Sequence, residues 1–130
     1  MSLELRHRLF AEFDKLVLVD PHTHINPLDP GSHTLADILG YHYYTELAHS
    51  AGMPKSQIEE PGLHPKEKVR RLIENLGPVQ NTIQYSWLVE MCQTFFGLAD
   101  DNIGPHNWEK VYDTAESLMS RGNWPAEVLA

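Results

Sequence analysis

One stretch constrains the fold of this chain more than any other: Leu16-Val17-Leu18-Val19-Asp20, a continuous apolar run of strand length stopped by Pro21. Continuous rather than alternating hydrophobicity is the pattern of a strand covered on both faces, as in a parallel sheet. No second convincing strand follows anywhere in the sequence. A lone strand leaves its backbone N–H and C=O groups without ladder partners, and a buried unpaired edge is costly. Two resolutions are open. Either the strand pairs with a copy of itself in another chain, or it belongs to a larger sheet and this chain is an N-terminal fragment.

Everything else reads as helix and loop. Leu3 to Leu16 carries Leu5, Leu9, Phe10 and Phe13 at three- and four-residue spacing, so a helix is expected ahead of the strand. Thr34 can cap a short helix running towards Gly40, and His42 to Ser50 is expected to be helical. A helical turn is expected at Lys55 to Glu59. Pro65 then opens a helix that Gly77 closes, with Val69, Leu72, Ile73 and Leu76 as its apolar stripe. Tyr85 to Phe96 forms the most apolar helix, stopped by Gly97. Asn107 is the expected N-cap of a helix carrying Val111, Tyr112, Ala115, Leu118 and Met119, and Trp124-Pro125 begins a last short segment. The expected class is mainly α, with one strand and about six helices. The expected organisation is a single N-terminal segment, with 1–28 holding the first helix and strand and 29–130 the helical region.

The 130 residues suit one domain, and a net charge of −8 opposes a nucleic-acid surface, which needs a basic stripe to neutralise phosphates. No apolar run approaches the roughly 20 residues of a membrane span, so no membrane partner is expected. Cys92 is the single cysteine; no intrachain disulfide can form, which fits a cytoplasmic setting. Its helical, apolar context makes it a buried small hydrophobe. Trp87, Phe95 and Phe96 are expected in the core rather than in a ligand cage. Asp100-Asp101 reads as a solvated turn.

The chemistry-bearing feature is His22-Thr23-His24, directly after the strand. In an extended chain residues i and i+2 point to one side, so both imidazoles can reach one ion while Thr23 points away. Imidazole nitrogens suit zinc, and also manganese, iron or nickel. A catalytic zinc site takes three protein ligands and keeps one position open. Two histidines are therefore an incomplete set. The other dispersed histidines, His33, His49, His64 and His106, read as surface residues.

A strand followed by Asp20-Pro21-His22-Thr23-His24 resembles the first strand of the amidohydrolase superfamily of metal-dependent (β/α)8 barrels. Further along, Leu35-Ala36-Asp37-Ile38-Leu39-Gly40-Tyr41-His42-Tyr43 is similar to the uronate isomerase segment in which a short helix leads into an Asp-His-Tyr-Lys motif. Asn81 to Glu90, with Trp87, followed by Phe95-Phe96-Gly97, resembles that family's Asn-Pro-x-x-x-Trp-x-x-x-Glu and Phe-Gly pattern. The helix after Asn107, with Trp108 and Ala115, falls where the family has one of similar length.

The resemblance implies that the chain corresponds to the first barrel strand and the helical insertion that follows it, which accounts for one strand and then only helices. It implies that His22 and His24 are metal ligands, with zinc the first expectation, and that His42 and Tyr43 act on and bind the substrate. It implies isomerisation between an aldose uronate (D-glucuronate) and a ketose uronate (D-fructuronate) by enediol proton transfer, with a hexuronate sugar as partner. The remaining metal ligand and the carboxylate-binding arginines of such a site would lie outside these residues. The sequence departs from the family at Tyr41, where an acidic residue is usual, at Tyr44, where Lys is frequent, and over Thr45-Glu46-Leu47-Ala48-His49. The alternative reading is a stand-alone helical interaction or metal-binding module without catalytic activity.

Overall fold

The computed structural model describes residues 2–17, 19, 21, 22, 24, 28, 29 and 31–129. The chain divides into two compact units, Met1–Pro30 and Gly31–Ala130.

The first unit is built on α1 (Leu3–Phe13). Ser2 caps it: its hydroxyl accepts from the Leu5 N–H at 3.2 Å, satisfying one of the donors that a helix start leaves open. None of its residues is buried. The chain then runs through Leu16, Val17 and Val19, where a buried strand was expected. Leu18 and Asp20 of that stretch lie outside the described residues. The described ones carry no strand, Val17 and Val19 are 91% and 86% exposed, and no strand occurs elsewhere among the described residues. The physical reason is the missing partner, since an extended run with no neighbour to complete its ladder has nothing to hold it as a sheet.

The second unit is helical throughout: α2 (Leu35–Leu39), α3 (His42–Ser50), α4 (Pro65–Asn75), α5 (Ile83–Phe96), α6 (Trp108–Met119) and α7 (Trp124–Leu129), with single 3₁₀ turns at Lys55–Gln57 and Gly77–Val79. Thr34 and Asp37 form a capping box on α2: Thr34 Oγ1 accepts from the Asp37 N–H at 3.1 Å and Asp37 Oδ2 accepts from the Thr34 N–H at 2.9 Å. Gly97 ends α5 with φ +69°, the left-handed conformation that a side chain would strain. Asn107 precedes α6 but its side chain makes no capping bond. Instead its Oδ1 accepts from the Gly104 N–H and its Nδ2 donates to Asp100 Oδ2 and the Asn102 carbonyl, tying the preceding loop together.

The core forms where α4 and α6 pack together, with α2 and α3 against α4 and with α5 against α6. Leu35, Leu39, Val69, Leu72, Leu76, Leu88, Cys92 and Ala115 are fully buried there. Cys92 is the expected small hydrophobe, and burial pushes its thiol up to about 12, which keeps it unreactive. Trp87, expected in the core, lies 53% exposed on the outer side of α5.

An ion-pair network runs along α4. The Glu67 carboxylate accepts from Arg70 Nε and Nη2 at 2.8 and 2.6 Å and from Arg71 Nε at 2.8 Å. These bonds, those of Arg70 first, hold its pKa down at about 2. A carboxyl depressed in the folded state contributes stability above its ordinary value of 4.5 and loses it as pH falls towards about 2. Urea midpoints measured from pH 5 down to pH 2 should therefore fall for the natural chain. They should fall less steeply for Glu67→Gln, which never has that contribution. Parallel profiles for the two proteins would remove Glu67 from the account.

Candidate functional site

The candidate residues fall in both units. In the first, His22 and His24 are exposed, and their rings meet edge to face with centroids 4.7 Å apart at 81°. Their Nε2 atoms approach to 3.0 Å. The i, i+2 spacing thus brings both nitrogens to one point; Thr23 between them lies outside the described residues. With metal–nitrogen bonds of about 2.0–2.1 Å, two ligand nitrogens stand roughly 2.9 Å apart at a right angle and roughly 3.3 Å apart at a tetrahedral one. The observed separation lies inside that range, so the pair fits two corners of a divalent-cation site. It equally suits an N–H···N hydrogen bond between opposite tautomers. Among the described residues no group of three or more His, Cys, Asp and Glu side chains is placed to hold a metal.

In the second unit, the short α2 ends at Gly40 and the chain turns directly into α3, which places His42 and Tyr43 on its first turn. Tyr41 caps this helix without a side-chain bond, and its ring packs against both: 4.2 Å to His42 and 5.0 Å to Tyr43 between centroids. The His42 and Tyr43 rings lie 4.3 Å apart. Desolvation, and then the neighbouring Tyr43, push the Tyr41 hydroxyl above its ordinary value, so it stays a neutral donor at neutral pH. Tyr43 is 44% exposed. Tyr44, next along, is buried in the core.

His42 also borders a shallow groove of roughly 500 Å³ together with Thr45, Glu46, His49, Lys55 and Glu59. His49, expected at the surface, lines this groove. It is half-buried, and its Nδ1 lies 2.9 Å from the Met53 carbonyl. A carbonyl only accepts, so Nδ1 carries the proton and the neutral ring keeps its lone pair on Nε2. The available signal was spacing: 42, 46 and 49 share one helix face. His64, expected at the surface, is exposed there, and its Nδ1 accepts from the Lys66 N–H at 3.2 Å and caps α4. A larger groove, roughly 750 Å³, runs along α6 past His106, Glu109 and Asp113, and holds none of the candidate residues. Lys66 engages Glu109 and Asp113 beside it at 2.9 Å each.

The described residues thus define a helical arm with a histidine pair, and a small all-helical unit whose α3 opens on a Tyr-His-Tyr cluster. In sequence the chain is similar over nearly its whole length to two curated uronate isomerases. It is 24% identical over 139 residues to the uronate isomerase of Corynebacterium efficiens, an alignment covering 98% of this chain and 29% of that protein. It is 30% identical over 129 residues to the uronate isomerase of Nostoc punctiforme, covering 89% of this chain and 27% of that protein. The chain spans less than a third of the length of these curated relatives. No protein-family model matches it. No helix among the described residues is long and apolar enough to cross a membrane.

Proposed function

We propose that this chain forms part of an aldose–ketose isomerase acting on a hexuronate, the part that supplies two metal-binding histidines and a substrate-facing His-Tyr pair. The observation that carries this reading is similarity to uronate isomerases along 89–98% of the chain. In this reading the segment corresponds to the first strand and helical insertion of a metal-dependent (β/α)8 barrel.

Interconverting D-glucuronate and D-fructuronate moves a proton between neighbouring sugar carbons through an enediol, while a second proton moves between the two oxygens. In this reading His42 hydrogen-bonds a sugar carbonyl or hydroxyl, and Tyr43, 44% exposed, gives and takes the mobile proton through its hydroxyl. Tyr41, packed on both rings, restricts their rotation. His22 and His24 would hold a divalent cation, zinc first among the candidates, which when bound supplies Lewis acidity towards a sugar oxygen.

Replacing the matched segment of the Nostoc punctiforme enzyme with this chain gives the direct test. The chimera should convert glucuronate to fructuronate, and Tyr43→Phe should lower kcat on the order of 10²-fold. The 130-residue chain alone should show no turnover. Turnover unaffected by Tyr43→Phe would end the assignment of that residue, and an inactive, folded, metal-loaded chimera would end the isomerase reading.

A second expectation concerns the metal. Two imidazoles leave most of a cation's coordination to water, so zinc should bind the isolated chain reversibly and wash out on dialysis. His22→Ala should remove the binding seen by titration. Stoichiometric zinc surviving dialysis would show that the isolated chain completes the site.

A further inference from the structure

Helix α5 is apolar over more of its circumference than its packing uses. Tyr85, Leu88, Val89, Cys92 and Phe96 face the core. Beside them Ile83, Trp87, Met91 and Phe95 follow at four-residue spacing and form one straight ridge along the flank. Ile83 and Trp87 are 58% and 53% exposed, whereas Met91 and Phe95 are half-buried and join the ridge to the core. Polar residues at these positions would make α5 an ordinary amphipathic helix; a helix apolar most of the way round is one covered on two sides. A ridge at i±4 spacing is the surface that fits the groove of a second helix; its open part runs from Ile83 to Trp87, roughly 6 Å along the axis, while Phe95 at the far end already packs on Trp124 with ring centroids 5.8 Å apart.

We propose that this ridge seats a helix from the portion of the uronate isomerase fold that lies outside the segment matched by this chain. The inference rests on the isomerase reading. Over two thirds of each curated relative lies beyond the matched 27–29%. Size separates this occupant from a second copy of the chain. An exposed Trp and Ile offer at most a few hundred Å², well under the roughly 800 Å² per partner of a stable dimer. A helix within the same polypeptide needs no such area, because its tether supplies the effective concentration.

The test compares the isolated 130-residue chain with the Nostoc punctiforme chimera by hydroxyl-radical footprinting read by mass spectrometry. Oxidation of Trp87 should be fast in the isolated chain and slower by about ten-fold in the chimera, as for a side chain moved from solvent into packed surroundings. Trp87→Glu should lower the melting temperature of the chimera and leave that of the isolated chain unchanged. Equal Trp87 reactivity in both proteins overturns the proposal, as does a chimera that cannot be obtained folded. Protection that grows with concentration in the isolated chain, alongside a dimer in sedimentation, assigns the ridge to a second copy and also overturns it. Turnover of glucuronate with Trp87 unprotected sinks this inference alone, and protection without turnover sinks the isomerase reading alone.

Discussion

Phe96→Ala is expected to destabilise the helical unit by about 3–5 kcal/mol, the range for removing a buried aromatic ring from a packed interior. Phe96 is 2% exposed at the last turn of α5. Its ring stacks on Trp124 with centroids 5.8 Å apart and planes at 30°, and meets Phe95 at 6.4 Å. Truncation therefore loses the transfer of the ring from water and leaves a cavity beneath Trp124. Gly97 follows at once and sets the backbone direction there, which limits how far α5 can shift to close the space. For a unit of this size total stability is about 5–15 kcal/mol, so much of the reserve goes with one side chain. Urea unfolding should show a large fall in midpoint with an unchanged slope. Phe96→Leu, which refills part of the volume, should recover a good share of it. A loss below about 1 kcal/mol for Phe96→Ala would mean that Trp124 collapses into the gap.

Tyr85→Phe should cost about 2–4 kcal/mol although it removes a single oxygen. The Tyr85 hydroxyl donates to the Ile103 carbonyl at 2.8 Å and accepts from the Ile103 N–H at 3.1 Å. Both bonds are buried, and Tyr85 is 4% exposed. Together with Gln93 Nε2, which donates to the Asp100 carbonyl at 3.0 Å, they fasten the loop before α6 to α5. Phenylalanine keeps the ring volume and strands a backbone donor and a backbone acceptor together, each at about 1–3 kcal/mol when water cannot replace the partner. The Ile103 amide should also exchange its hydrogen much faster than in the natural chain. A cost near zero would show that water enters the site and satisfies both groups.

Helix ends were legible in the sequence because they are decided within a few residues. Thr34 with Asp37 bonds backbone groups three positions away, Pro65 fixes its own φ at the first position of α4, and the left-handed Gly97 ends α5, each standing at the end it marks. Asn107 shows the limit of that logic. It precedes α6 as its type suggests, but Asp100, Asn102 and Gly104 compete for its amide and win. His22 and His24, two positions apart, also meet locally, their Nε2 atoms 3.0 Å apart.

What the sequence by itself determined is therefore the helices and most of their ends (α1 stops at Phe13, short of Leu16, and α5 starts at Ile83, ahead of Tyr85), the buried Cys92 and the meeting of the histidine pair, governed by bonds that span only a few residues or by plain hydrophobicity. Only the tertiary structure decided that Val17 and Val19 lie open without a strand, that Trp87 faces outward, and that Tyr41 and His49 join His42. Those outcomes depend on which distant surface reaches a residue. A strand needs another strand, and an apolar ridge needs a second helix, before either is buried.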